Sequence, residues 1–209
     1  MLVEIIDNVF HINNKEITEL DTLVIDFVSV LDKHNIKYVI ISGYVAIIFG
    51  RSRNSEDVDL FIEKMDYNTF KKIWVDLNIK FECIIEDNIK DAFFEYLNQG
   101  LPLRFAKKGT FIPNMEIKNP KDELDIWSIR NRKEIRLNKQ HRIYISPLEL
   151  QIAYKLYLSS DKDIEDAKHI YNRFKNKLDN KLLDYFLVEL KVMARFRKYL
   201  LWKIYQKSI

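Results

Sequence analysis

The sequence predicts an α/β protein of the α+β kind, with a mixed sheet flanked by helices and followed by a helical C-terminal part. Short β-branched runs alternate with amphipathic stretches as far as about residue 145, which is typical of a sheet with helices on its faces. After Pro147 only helical periodicity continues. A hydrophobic fraction of 47% in 209 residues is enough to bury a core. We therefore predict a core domain over residues 1–145 and a helical region over residues 146–209.

The first half of the chain predicts a hairpin and then alternating helices and strands. "VEIIDNVFHI" and "KEIT" flank Asn13–Asn14, which indicates a hairpin that turns at these two asparagines. Apolar residues recur at helical spacing in "ELDTLVIDFVSVLDKHN". Strands are predicted over "KYVIIS", "VDLFIE" and "KFECII", and helices over "YVAIIFG", "YNTFKKIWVDLN" and "IKDAFFEYLNQG".

The second half predicts a meandering group of strands and then three helices. The strands are predicted over "LRFAKK", "TFIPNMEIK", "ELDIWS" and "RIYIS". Ser146 as an N-cap before Pro147 indicates the start of the first helix. The three helices are predicted over "PLELQIAYKLYLSS", "DKDIEDAKHIYNRFKNK" and "NKLLDYFLVELKVMARFRKYLLWKIYQ".

Composition narrows the class of protein. The single cysteine, Cys83, excludes an internal disulfide and fits a reducing compartment. No apolar run approaches the roughly 20 residues of a membrane span, and no signal peptide begins the chain. We therefore expect a cytoplasmic protein with no membrane partner. From Arg130 to Arg142 the sequence has six Lys or Arg against one acid, so the second half of the chain is suited to bind a polyanion.

Two aspartates at the start of one predicted strand are the first candidate site. Asp57 and Asp59 alternate along "VDLFIE", so both side chains point to the same face. Carboxylates this close repel each other unless a cation lies between them, and Mg²⁺ prefers such oxygen ligands together with substrate phosphates. The alternative is that the two acids pair with Arg51 or Arg53. Asp125 in "ELDIWS" is a candidate third carboxylate, and three converging carboxylates could hold two metal ions.

The stretch from Gly43 to Phe61 resembles the first motif of the nucleotidyltransferase superfamily with the polymerase-β-like core, and within it the small prokaryotic AbiEii-like proteins. The family pattern is a strand, a small-residue pair, a helix, and then R-x-T-x-D-x-D. Here Ser55 stands at the threonine position, and Tyr44 replaces the second small residue. The resemblance implies that Gly43, Tyr44 and Ser55 lie at a bound nucleotide. Arg51 and Arg53 would either hold phosphate oxygens or neutralise the acids.

A second stretch, "ISPLELQIAYKLYLSSDKDIEDAKHIY", resembles the later motif of the same family. The resemblance implies that Lys155 contacts the nucleotide and that Asp163 or Asp166 supports it. The two aspartates are three residues apart, so they share one face of a helix. The resemblance spans residues 37–171.

The resemblance implies two functions that belong to different classes. The first is an enzyme that moves a nucleoside monophosphate from an NTP to an acceptor hydroxyl on RNA, tRNA or protein, in a toxin–antitoxin or defence setting. Its cofactor would be Mg²⁺ or Mn²⁺ held by Asp57, Asp59 and Asp125. The alternative is a catalytically inactive nucleotide-binding or protein-interaction module of the same fold. A second copy of the chain or a cognate antitoxin is the expected protein partner.

Overall fold

A computed structural model describes residues 1–201 of the chain. Within these residues nine strands form one mixed sheet in the order β1-β2-β8-β9-β3-β4-β7-β6-β5. The strands are β1 (Leu2–Ile6), β2 (Val9–Asn13), β3 (Tyr38–Ile40), β4 (Asp57–Ile62), β5 (Phe81–Cys83), β6 (Leu103–Lys107), β7 (Asn114–Lys118), β8 (Lys133–Leu137) and β9 (His141–Ile145). The prediction of a mixed sheet with flanking and C-terminal helices is therefore confirmed.

Helices cover the sheet and continue beyond it. They are α1 (Glu19–Lys33), α2 (Gly43–Ile48), α3 (Tyr67–Leu77), α4 (Ile89–Asp91), α5 (Glu123–Arg130), α6 (Leu148–Leu158), α7 (Asp161–Phe174), α8 (Asn180–Glu189) and α9 (Met193–Phe196). Two of them change their winding, because α4 continues as a π-helical turn over Ala92–Tyr96 and α9 continues as another over Arg197–Leu201. None of the described helices is long and apolar enough to cross a membrane.

The centre of the sheet is built from parallel and antiparallel pairs. β4 runs antiparallel to β3 and parallel to β7, so it has a partner on each side. Val58, Leu60 and Ile62 of β4 point into the core and are at most 1% exposed. Burial of this apolar face fixes the register, because a slip of one residue would turn the aspartates of β4 into the core.

Four local predictions were wrong. The N-terminal hairpin turns at Asp7–Asn8, where both residues have positive φ, and not at Asn13–Asn14. Pro147 itself is the N-cap of α6, one residue later than predicted, and Ser146 is buried in front of it. The last predicted helix is interrupted at Lys191, whose φ of 56° ends α8. The segment "ELDIWS" is helical and belongs to α5, and β8 was not predicted at all.

The predicted division at residue 145 stays a prediction, and residues 202–209 of its helical part lie outside the described residues.

Candidate nucleotide and metal site

The two aspartates of β4 share one face of the sheet. Asp57 and Asp59 are half-buried, and the residues between and after them turn the other way into the core. Burial raises the pKa of Asp59, and the nearby charge of Asp57 adds to the increase, whereas Lys118 opposes it. Among residues 1–201 the Asp57 carboxylate forms no hydrogen bond and no ion pair. The strand therefore presents one unpaired carboxylate beside a partly neutralised one.

The neighbouring strand supplies a third carboxylate that the sequence analysis missed. β7 lies parallel to β4, with Asp57 opposite Asn114 and Asp59 opposite Glu116. Paired residues of neighbouring strands point to the same face, so Glu116 joins the two aspartates. A signal was present, because Glu116 stands between Met115 and Ile117 inside the predicted strand "TFIPNMEIK".

Asp125 was predicted on a strand beside β4, and this prediction was wrong. It lies in the first turn of α5, where Asp122 is the N-cap and accepts a hydrogen bond from the backbone N–H of Asp125 at 2.8 Å. The Asp125 carboxylate in turn accepts a hydrogen bond from the backbone N–H of Lys121 at 2.9 Å. Burial raises its pKa. Asp125 thus completes a helix start, which is a common use of an acid at this position.

A lysine lies between two of the three carboxylates. Lys118, two residues after Glu116 on β7, places its Nζ 2.6 Å from Glu116 Oε1 and 3.1 Å from Asp59 Oδ1. The second oxygen of Glu116 accepts a hydrogen bond from Arg104 Nε at 2.7 Å. Burial opposes the ionisation of Glu116, but the hydrogen bonds from Lys118 and Arg104 outweigh it and lower its pKa. Burial likewise opposes the charge of Lys118, while Asp59 and Glu116 raise its pKa above the ordinary value.

The carboxylates fit a hard divalent cation only in part. In the described part of the chain, no group of three or more His, Cys, Asp and Glu side chains is arranged to hold a metal ion. Asp57 and Asp59 alone have the donor chemistry of a Mg²⁺ site, in which one or two carboxylates share the ion with substrate phosphates. Glu116 has both oxygens on protein cations. The donor set therefore suits one ion bound by the two aspartates.

A second cluster of charges lies beside the loop that leads into β4. Asp166 is fully buried, and its carboxylate contacts three cations: Arg53 by two hydrogen bonds of 2.9 and 3.0 Å, Lys155 at 3.1 Å and Arg51 at 2.6 Å. The Arg51 contact is an ion pair without hydrogen-bond alignment. Lys155 also donates a hydrogen bond of 2.7 Å to Asp163. Three cations thus face two carboxylates.

The structure brings Arg51 and Arg53 of the first motif together with the second motif, and it encloses the side chain of Lys155. Its side chain is 2% exposed and its ammonium is enclosed by Asp163 and Asp166. A direct contact of Lys155 with a nucleotide is therefore not supported, because two carboxylates already bind the ammonium inside the protein. Arg51 and Arg53 remain partly exposed, with side chains 23% and 11% accessible.

Gly43 makes room for one of these arginines. A Cβ atom at this position would lie 2.3 Å from Arg53 Nη2, so the guanidinium packs directly on the glycine backbone. The preceding residue, Ser42, has φ 62° and ψ −133°, a conformation that favours glycine. The small pair at this turn is therefore Ser42–Gly43.

Tyr44 was predicted at the nucleotide, and the structure places it elsewhere. Its ring is fully buried on the core side of α2, where its hydroxyl donates a hydrogen bond of 2.7 Å to Asp21 Oδ1. Burial raises its pKa well above the ordinary value. Tyr44 therefore does not crowd the carboxylate face. Ser55, two residues before β4, is half-buried and forms no side-chain hydrogen bond within residues 1–201.

Comparison with known proteins identifies the fold. No family model and no curated protein matches the chain. Among solved structures, an antigenic nucleotidyltransferase-like protein from Paracoccidioides brasiliensis matches with a TM-score of 0.51 at 17% identity, over 88% of this chain and 94% of that chain. ANT(2'')-Ia in complex with adenylyl-2''-tobramycin matches with a TM-score of 0.52 at 13% identity, over 86% of this chain and 99% of that chain. The chain therefore has the fold of the nucleotidyltransferase superfamily.

Proposed function

We propose that this protein is a nucleotidyltransferase that moves a nucleoside monophosphate from an NTP to an acceptor hydroxyl with the help of Mg²⁺ or Mn²⁺. In this reaction the acceptor oxygen forms a bond to the α-phosphorus, the bond from that phosphorus to the α,β-bridging oxygen breaks, and pyrophosphate leaves. The acceptor hydroxyl loses its proton. Such a displacement depends on positioning and charge neutralisation more than on covalent chemistry of the protein.

The observation that carries the proposal is the arrangement around β4. Asp57 and Asp59 share one face with Glu116, and the loop directly before them carries Arg51 and Arg53. Negative side chains that suit a metal ion and positive side chains that suit phosphates are thus only a few positions apart in the sequence. Fold similarity raises the expectation of this activity, but the argument rests on these side chains.

Asp57 and Asp59 are the residues that would hold the metal ion. When bound, the ion supplies charge neutralisation for the phosphate oxygens. The half-buried position of both aspartates lowers the effective dielectric around them, which strengthens their attraction for a cation.

The two arginines would bind the phosphates together with the metal ion. Asp166 holds Arg53 by two hydrogen bonds and neutralises only part of the positive charge of the cluster. The remaining charge is available to an anion, and the fixed guanidinium of Arg53 loses little freedom when it binds. Lys155 acts indirectly, because it balances Asp163 and Asp166 and so keeps the arginines in place.

For the acceptor we propose an RNA, with tRNA as one example, or a protein side chain, in a toxin–antitoxin setting as the AbiEii-like motifs imply. The basic surplus between Arg130 and Arg142 supports a polyanionic acceptor. A cognate antitoxin or a second copy of the chain is the proposed protein partner.

The experiment is a label-transfer assay with each of the four α-³²P-labelled NTPs, Mg²⁺, and either total RNA or RNase-treated cell extract as acceptor. We expect label on one acceptor class with the wild type and a loss of at least about a hundredfold with Asp57→Asn, since a lost metal ligand removes several kcal/mol of charge stabilisation. Asp87→Asn changes an exposed aspartate and is the matched control. Absence of transfer with every NTP and both acceptors would contradict the proposal.

One observation favours the alternative of an inactive binding module. Lys118 places a permanent positive charge between Asp59 and Glu116, where it competes with a metal ion. For such a module we expect nucleotide binding that does not depend on divalent ions, together with no label transfer. Equilibrium dialysis of labelled NTPs with Mg²⁺ and with EDTA separates the two functions.

A further inference from the structure

Lys118 has contacts that a metal ion would otherwise make. Its ammonium is 2.6 Å from Glu116 and 3.1 Å from Asp59, which lie opposite each other on β7 and β4. The side chain is 27% exposed, so it reaches the carboxylates from the open side of the sheet. One protein cation thus bridges the two strands at the point where the acids meet.

The other contacts of the cluster reinforce this arrangement. Arg104 on β6 lies opposite Glu116 in register and binds its second oxygen. Because both Glu116 oxygens are then on cations, a metal ion at Glu116 would have to displace Lys118 or Arg104. Asp57, in contrast, has no ion pair within the described residues, so it is available to a metal ion together with the second oxygen of Asp59.

We propose that the Lys118 ammonium takes the place of a second cation between Asp59 and Glu116, so that this protein binds one divalent ion, at Asp57 and Asp59. The inference rests on the proposed function and deepens it, because it assigns the number of ions and the residue that sets it. Lys118 is a positioning residue: it holds Glu116 and Asp59 at a fixed separation and keeps the first ion on the side of Asp57.

The test counts bound Mn²⁺ by electron paramagnetic resonance, with a mixture of the four α,β-methylene nucleoside triphosphates that cannot be cleaved at the reacting bond. We expect one tightly bound ion in the wild type and two in Lys118→Met, because removal of the ammonium frees Glu116 and Asp59. Adding Glu116→Gln to Lys118→Met should return the count to one. Lys121→Met, at an exposed lysine three residues along the chain, is the matched control and should keep one ion.

Each outcome distinguishes the inference from the proposed function. Two ions in the wild type would overturn the role of Lys118 and leave the nucleotidyltransferase proposal standing, whether or not the variant folds. One ion in a folded Lys118→Met would also overturn it. No bound Mn²⁺ in the wild type, with or without the nucleotide mixture, would overturn both.

Discussion

At the scale of single residues, one fully buried carboxylate is shared by three cations. Asp166 is completely inaccessible to solvent, yet its two oxygens contact Arg51, Arg53 and Lys155. Removing one partner from such a group is costly, because the remaining charges stay buried without compensation. The same residues fix the loop before β4, α6 and α7 to one another, so stability and the geometry of the proposed phosphate site depend on the same contacts.

The first prediction concerns Lys155. Lys155→Met keeps most of the side-chain volume but leaves Asp163 and Asp166 with less positive charge, and we expect the free energy of unfolding to fall by about 3 kcal/mol. Lys168→Met on α7 is the control, because Lys168 forms an i,i+3 surface pair with Glu165 and such pairs contribute about 0–1 kcal/mol. Urea unfolding of both variants measures the difference. Equal losses would show that the buried cluster does not contribute to stability as the structure implies.

Asp21 is a second buried acid, and it binds the hydroxyl of the buried Tyr44. Tyr44 and Thr18 donate hydrogen bonds to it from their hydroxyls, and Lys15 forms an ion pair with it. Burial opposes its ionisation, but Lys15 and the hydrogen bonds from Thr18 and Tyr44 outweigh this effect and lower its pKa. The ionised form is therefore the one that the fold stabilises.

The second prediction follows from the direction of that shift. A pKa that is lower in the folded than in the unfolded protein contributes stability above the unfolded value of about 3.9, and the contribution is lost as the pH falls through the folded pKa. We expect wild type to be more stable than Asp21→Asn at about pH 6, and this difference to shrink below about pH 4. Urea unfolding across this range is the measurement, with Asp87→Asn as a control that parallels the wild type. A difference that is constant with pH would contradict the assignment.

At the scale of elements, sequence periodicity predicted most helices and strands and misassigned one segment in which a strand signal and a helix signal compete. α6 and α7 have clear helical patterns with start signals, and β4 was predicted from its apolar alternation. In "ELDIWS" the alternation of Leu124 and Ile126 indicated a strand, although Asp122 as N-cap was a helix signal.

In the candidate site, the residues that the sequence predicted are those that are close together in the chain. Asp57, Asp59 and the two arginines are close in sequence and were predicted. Glu116 and Lys118 join them through the pairing of β4 with β7, and the sequence alone does not specify which strands become neighbours or in which register. The placement of Asp125 on a strand was wrong for a local reason, since its segment is helical.

The turn from β3 into α2 has a strained backbone. Ser42 has φ 62° and ψ −133°, where the Cβ of a non-glycine residue meets its own backbone, and its side chain makes no capping hydrogen bond. Residues in such conformations cost about 1–3 kcal/mol. The surrounding strands and Gly43 hold this turn in place, since the guanidinium of Arg53 packs against Gly43.

The third prediction tests this strain. Ser42→Gly should raise the free energy of unfolding by about 1 kcal/mol, because relief of the strain exceeds the roughly 0.5–1 kcal/mol of added freedom in the unfolded chain. Ser52→Gly, at an exposed loop residue without positive φ, is the control and should lower stability slightly. Thermal and urea unfolding measure both. A loss of stability in Ser42→Gly would mean that the serine side chain has a role that outweighs its backbone cost.

At the scale of the whole molecule, the proposed site joins the sheet to the C-terminal helices. β4, which carries the two aspartates, is the sixth of the nine described strands in their spatial order across the sheet. Arg51 and Arg53 are bound to Asp166 of α7. One hydrophobic core runs through both regions, from Phe27 of α1 to Phe186 of α8. A ligand that bridges the aspartates and the arginines would therefore stabilise the molecule as a unit and not one element of it.

The last prediction uses that coupling. A ligand that binds only the native state at a hundred times its dissociation constant adds about 2.7 kcal/mol, which for a chain of this size corresponds to a rise in Tm of about 5–10 °C. We expect this rise with Mg²⁺ and the correct NTP together, and a much smaller one with either alone, because Asp57 and Asp59 repel a triphosphate unless a cation lies between them. Asp57→Asn should abolish the dependence on Mg²⁺, whereas Asp87→Asn should keep the full shift in a thermal denaturation series over the four NTPs. If Asp57→Asn retained the Mg²⁺-dependent shift, the nucleotide would have to bind away from β4.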